Sequence, residues 1–123
     1  MKLTENFSKS EFDSKDGAEM PENILENIKT LANHLEVIRS YLNAPIIINS
    51  GYRSPSHNSD VGGKDESYHL KGMASDIDAR GCTPDQVFKA IQHLTDTGRL
   101  PQGGMSAYPT FVHWDYRGHP ARW

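Results

Sequence analysis

Ile24, Ile28, Leu31, Leu35, Ile38 and Leu42 recur at spacings of three or four, and Leu25 and Ala32 widen the stripe they draw. That period is one face of an α-helix, so the pattern predicts an amphipathic helix of about 20 residues, with Pro21 suited to its first turn. A second apolar face, Val87, Phe88, Ile91 and Leu94, follows Thr83-Pro84-Asp85-Gln86. This combines a capping hydroxyl, a proline at the first helical position and a reciprocal glutamine, and it predicts a helix from Pro84 that Gly98 terminates. Between the helices the pattern changes. Ile46 to Ile48 is a β-branched run that predicts a buried strand ended by Gly51. In the strand expected over Ala74 to Ala79, Asp76 and Asp78 face one way and Ile77 the other. Met105 to Tyr108 and Phe111 to Tyr116, parted by Pro109-Thr110, predict a β-hairpin.

The remaining segments are punctuation. Ser8-Lys9-Ser10-Glu11 has the form of a capping box and predicts a short helical turn packed through Phe7 and Phe12. Residues 13–20 read as a loop, and so does 54–68, whose Pro55, Gly62 and Gly63 interrupt any period. Long loops inside small domains usually carry function. Together the elements predict an α+β fold over residues 1–123: one domain, a small antiparallel sheet, and helices packed on one side of it.

Composition removes several classes of function. A length of 123 residues suits one core and leaves no room for a second module, and the chain is expected to act as a monomer. A net charge of −3 with dispersed Lys and Arg offers no basic stripe for nucleic acid or an anionic membrane. The longest apolar run is far below the ~20 residues that cross a bilayer, and the start of the chain has no secretory apolar segment. Synthesis in the cytoplasm is therefore expected. Cys82 is alone, which excludes an internal disulfide and a cysteine metal cluster and leaves it as a small filler at a turn. His34 and His93 fall outside the apolar stripes and are expected in solvent. Trp114 and Trp123 are expected to pack in the core.

The chemistry concentrates between Asn49 and Ala79. His69 and Asp76 lie seven residues apart with Gly72 to turn the chain between them, and the strand that follows fixes the carboxylate. The well-placed donor downstream is His113, within Phe111-Val-His-Trp-Asp-Tyr116. Two imidazoles and one carboxylate form a zinc (Zn2+) set of the kind that keeps its fourth position for water, which is the catalytic pattern.

Ser67-x-His69-x-x-Gly72-x-Ala74-x-Asp76, preceded by Ser50-Gly-Tyr-Arg53 and followed by Tyr108-Pro-x-Phe-Val-His113-x-Asp115 and Ala121-Arg-Trp123, resembles the zinc D-Ala-D-Ala peptidase family, the M15 metallopeptidases. The resemblance is closest to short single-domain members. It implies the fold of the DD-peptidases and hedgehog-type domains, and hydrolysis of peptidoglycan stem peptides by carboxypeptidase or endopeptidase action. It also implies Arg53 as the residue that contacts substrate and the charge developing on its carbonyl oxygen. Ser67 fits substrate positioning, or equally a hydroxyl that caps its own loop. His57 is left outside the metal set, which needs no fourth protein ligand, with contact to substrate or to a metal ligand as its alternative role.

The pattern departs from the better-known members in one respect. They place an acid three residues before the last ligand, and here that position is Thr110. Asp115 is the nearest acidic candidate, either as a proton shuttle or as the group that orients a ligand histidine; Asp78 is a second candidate for orienting, and His119 is less well placed. Two functional classes follow: a zinc peptidase, or a zinc-stabilised binding or structural domain of the same fold without turnover. A missing export signal suits a phage lysin released to the wall by other means, and equally a cytoplasmic peptidase that recycles wall fragments.

Overall fold

The computed structural model describes residues Met1–Trp123. Helix α1, Glu22–Leu42, follows the apolar stripe closely, with Pro21 just outside it at the N-cap and Asn43 closing it in the left-handed conformation at φ 50°. Its buried side, Ile24, Leu25, Ile28, Leu31, Ala32, Leu35 and Ile38, lies in the core. Truncating Leu31 or Leu35 to Ala would cost about 2–5 kcal/mol by the usual cavity penalty. Helix α3, Pro84–Asp96, begins with the expected capping box between Thr83 and Gln86.

The sheet has five strands in the order β1-β2-β4-β3-β5. These are β1 Ile46–Ser50, β2 Ala74–Ala79, β3 Gly104–Ala107, β4 Val112–Asp115 and β5 Ala121–Arg122. The β3–β4 hairpin forms as the sequence predicts. The sheet is mixed rather than wholly antiparallel, because the two-residue β5 joins β3 in parallel. One face carries Ile48, Ile77, Val112, Trp114 and Met105 into the core. The opposite face carries Asp76, His113 and Asp115, as strict alternation along β2 and β4 requires.

Four expectations need correction. Ile47 is 44% exposed because β1 is an edge strand with only one face covered. Part of the segment read as loop is a helix, α2 Pro55–Asp60, whose N-cap Ser54 accepts the His57 N–H. His34 is half-buried, its ring 5.8 Å from Trp114 and 5.3 Å from Tyr116, and burial pulls its pKa down. Trp114 is buried as expected, whereas Trp123 is 53% exposed. His93 is exposed, stacked on Tyr41 at 5.6 Å.

Candidate metal centre

Antiparallel pairing of β2 with β4 sets Asp76 directly opposite His113, and Ala74 opposite Asp115. β1 adds to the same face through a bulge. Its register slips between Ile48, which pairs with Ile77, and Ser50, which pairs with Asp76. The extra residue turns Ser50 away from the core and toward the carboxylate.

His69 arrives on a 3-10 turn, Tyr68–Lys71, capped by Ser67, whose hydroxyl accepts the His69 N–H at 3.2 Å. Gly72 ends the turn at φ 72°, and a Cβ there would collide with Ile24 of α1. A glycine is thus required both by the backbone angle and by the contact that seats the turn on α1. The His69 ring lies 5.2 Å from that of His113.

The hydrogen bonds fix which nitrogen each histidine presents. His69 Nδ1–H donates to the Gly51 carbonyl at 2.8 Å, and His113 Nε2–H donates to Asp115 Oδ2 at 2.8 Å. His69 Nε2 and His113 Nδ1 therefore point at Asp76 Oδ1, at 3.3 and 3.1 Å. Three donor atoms of His69, Asp76 and His113 lie within 4.8 Å of one another, and all three residues are buried. Lone pairs converging in a buried place need a cation between them, and a metal ion or a proton supplies it. Nitrogen, nitrogen and carboxylate oxygen are a donor set suited to zinc, with the outer nitrogen of each ring already tied.

Asp76 divides its oxygens. Oδ1 faces the histidines, while Oδ2 accepts from Arg53 at 3.3 Å. Burial alone would raise its pKa, yet the adjoining His113 and His69 outweigh that and hold the carboxyl well below the usual range. For His113 burial works downward, and the flanking carboxylates of Asp115 and Asp76 favour the protonated ring and hold the imidazole above its ordinary value. Arg53 also donates to Ser50 Oγ at 3.3 Å and to Asn58 Oδ1 at 3.4 Å. Three of a guanidinium's five N–H groups are so engaged, and two remain.

Asp115 is enclosed. Its side chain has no exposure, and its oxygens accept from His113, from the Gly104 N–H at 2.9 Å and from Arg117 Nε and Nη2 at 2.8 Å each. Burial opposes ionisation, but the Arg117 bonds chiefly, then His113 and Gly104, keep it ionised. No oxygen of Asp115 faces the cleft, so this environment suits orientation of His113 better than direct proton shuttling. Asp78, on the same sheet face, is paired beside exposed Ile47, and neither histidine turns its outer nitrogen to it. His57 and His119 lie outside the cleft lining, as does Thr110.

A cleft of about 920 Å³ opens over the three donors. Its walls include Arg53, the Gly62–Lys71 segment, Tyr108, Phe111, Arg117 and Trp123. Ser67 belongs to it, although its hydroxyl serves the turn. Trp123, expected in the core, instead follows β5 to the cleft, with its ring 5.0 Å from His113 and its Nε1–H donating to the Tyr108 hydroxyl at 2.8 Å. The closing Ala121-Arg-Trp123 carries the resemblance but no periodicity that would place the ring at the cleft.

The Peptidase M15 family profile matches residues 2–115, a span that holds all three donors and Asp115. The chain belongs to the Peptidase M15 family. No curated protein matches it. Membership makes this M15 chain a peptidase by family, within a group of metallopeptidases, and its His69–Asp76–His113 cluster is where such a metal fits. In this M15 member Arg117 and Trp123 fall beyond the matched span.

Proposed function

We propose that this chain is a zinc-dependent peptidase that hydrolyses the stem peptides of peptidoglycan, as a carboxypeptidase or an endopeptidase. The observation that carries the reading is the convergence of His69 Nε2, Asp76 Oδ1 and His113 Nδ1 below an open cleft, with each histidine's other nitrogen already committed. Zinc held there would act as a Lewis acid on the scissile carbonyl and lower the pKa of a bound water from 15.7 to about 7.

The chain's own residues account for the rest. Arg53 anchors Asp76 with one arm and keeps two N–H groups for a substrate carbonyl oxygen, where charge develops as the bond is attacked. Asp115 holds the His113 ring in place. The acidic side chains left on the cleft are Asp65 and Glu66, both exposed on the loop before Ser67, and they are the groups available to pass a proton to the departing amine.

The second reading, a metal-stabilised domain without turnover, is favoured by Thr110, an exposed turn residue where better-known members carry an acid. The cleft and the uncommitted N–H groups of Arg53, which a purely structural metal would not use, support the enzyme. Digestion of purified peptidoglycan, with the products weighed, tests it. Release of D-Ala or of new free amines, abolished by a chelator and restored by zinc, supports the peptidase; intact muropeptides from a zinc-loaded chain contradict it.

A further inference from the structure

Arg117 is the charged group that touches Asp115 from outside the sheet. Its guanidinium makes a fork to the carboxylate, Nε to Oδ1 and Nη2 to Oδ2 at 2.8 Å each, and its backbone N–H adds a third contact to Oδ1 at 3.2 Å. It is held in turn by two aromatic faces, with its central carbon 4.4 Å from the Tyr68 ring and 5.4 Å from that of Trp123. Tyr68 immediately precedes His69, and Trp123 lies against His113, so the clamp joins the elements that deliver both histidines. Gly104 leaves the room: a Cβ there would overlap the Arg117 guanidinium and Asp115 Oδ2.

We infer that Arg117 is a positioning residue for His113, acting through Asp115. A carboxylate without exposure needs a fixed counter-charge, and a bidentate guanidinium sets the plane of the carboxylate as well as its charge. With that plane fixed, Oδ2 accepts the His113 Nε2–H along one line, and the ring must present Nδ1 toward Asp76 and His69. Without the Arg117 side chain the carboxylate loses two of its donors, turns or takes up solvent, and the ring loses its orientation. Lysine would restore charge but not the fork.

The inference rests on the metal reading proposed above, and the test separates the two. Zinc affinity of the purified metal-free chain is measured by competition with a chromophoric chelator for wild type, Arg117→Met, Arg117→Lys, Asp115→Asn and the Arg117→Met/Asp115→Asn double variant. Melting of each metal-free protein is recorded alongside. Arg117→Met is expected to weaken zinc binding roughly 10-fold or more, with Arg117→Lys in between. In the Asp115→Asn background Arg117→Met should weaken it no further, since the two act through one bond. Wild-type affinity in Arg117→Met, or losses that multiply in the double variant, would overturn the inference. Should Arg117→Met fail to fold, Arg117→Lys carries the same comparison in both backgrounds. A wild-type chain that binds no zinc overturns the metal reading itself and this inference with it.

Discussion

Asp115 Oδ2 accepts the Nε2–H of His113, two residues back on the same strand, at 2.8 Å, and this single bond decides which nitrogen His113 offers to the cleft. A strand makes the pairing available because alternate side chains share a face. Asp115→Asn should therefore weaken zinc by about 10- to 100-fold, the usual loss when a carboxylate behind a ligand histidine is removed. Chelator competition measures this. Lower kcat at full zinc affinity would instead restore a proton-shuttling role.

Arg53 lines the cleft beside Asp76, with one N–H on that carboxylate and two unused. Arg53→Lys keeps the charge and loses the planar fork, so kcat on a defined muropeptide should fall about 10²-fold or more while zinc content stays near one equivalent. Unchanged kcat/KM would remove Arg53 from the reaction.

Gly104 has the Asp115 carboxylate and Arg117 where a side chain would stand. Gly104→Ala should cost about 1–3 kcal/mol by overpacking and should weaken zinc as well, because the displaced groups are those behind His113. Denaturant unfolding and zinc titration check the two effects. A stable variant with lowered zinc affinity would still fit; a variant normal in both would not.

How much of this was legible from residues alone varies with the physical scale of the signal. α1 announces itself through six apolar positions at one period, and Asp76 and His113 through strands whose alternation puts them on the polar face. α2 was missed although Ser54-Pro55 carries the same cap-and-proline signature as Thr83-Pro84, because Gly62, Gly63 and the surrounding polar residues swamp a six-residue helix with little apolar face. Exposure of Ile47 depends on strand order, which no local pattern encodes. The half-buried His34 and the Arg117 clamp depend on contacts between residues distant in sequence, His34 with Trp114 and Tyr116, Arg117 with Tyr68.

Asp16, in the 13–20 loop, gives a pH signature through the cap of α2. Its carboxylate accepts the Ser54 hydroxyl at 2.6 Å and so braces the cap of α2, and that bond first of all lowers its pKa from 3.8 to about 2. A depressed pKa means stability that is present above the unfolded value and lost as pH falls through the folded one. Metal-free wild type should thus be more stable than Asp16→Asn at pH 6, and the difference should shrink between about pH 4 and pH 2. Urea unfolding at several pH values measures it; a difference that persists below pH 2 would assign the effect to something other than this carboxylate.

Asp65 and Glu66 are the remaining acids on the cleft. The Asp65→Asn/Glu66→Gln double variant should lose about 10²-fold or more in kcat with zinc bound normally, the usual worth of a positioned proton carrier. Steady-state kinetics on a muropeptide decide it. Full activity would mean that the proton passes through water alone.

The most direct measurement is metal content. After loading with zinc and removal of excess, the wild-type chain should retain one zinc per chain, held by His69, Asp76 and His113, whereas the His69→Ala/His113→Ala variant should retain none. A full equivalent of zinc in that double variant, or none in the wild type, would contradict the account.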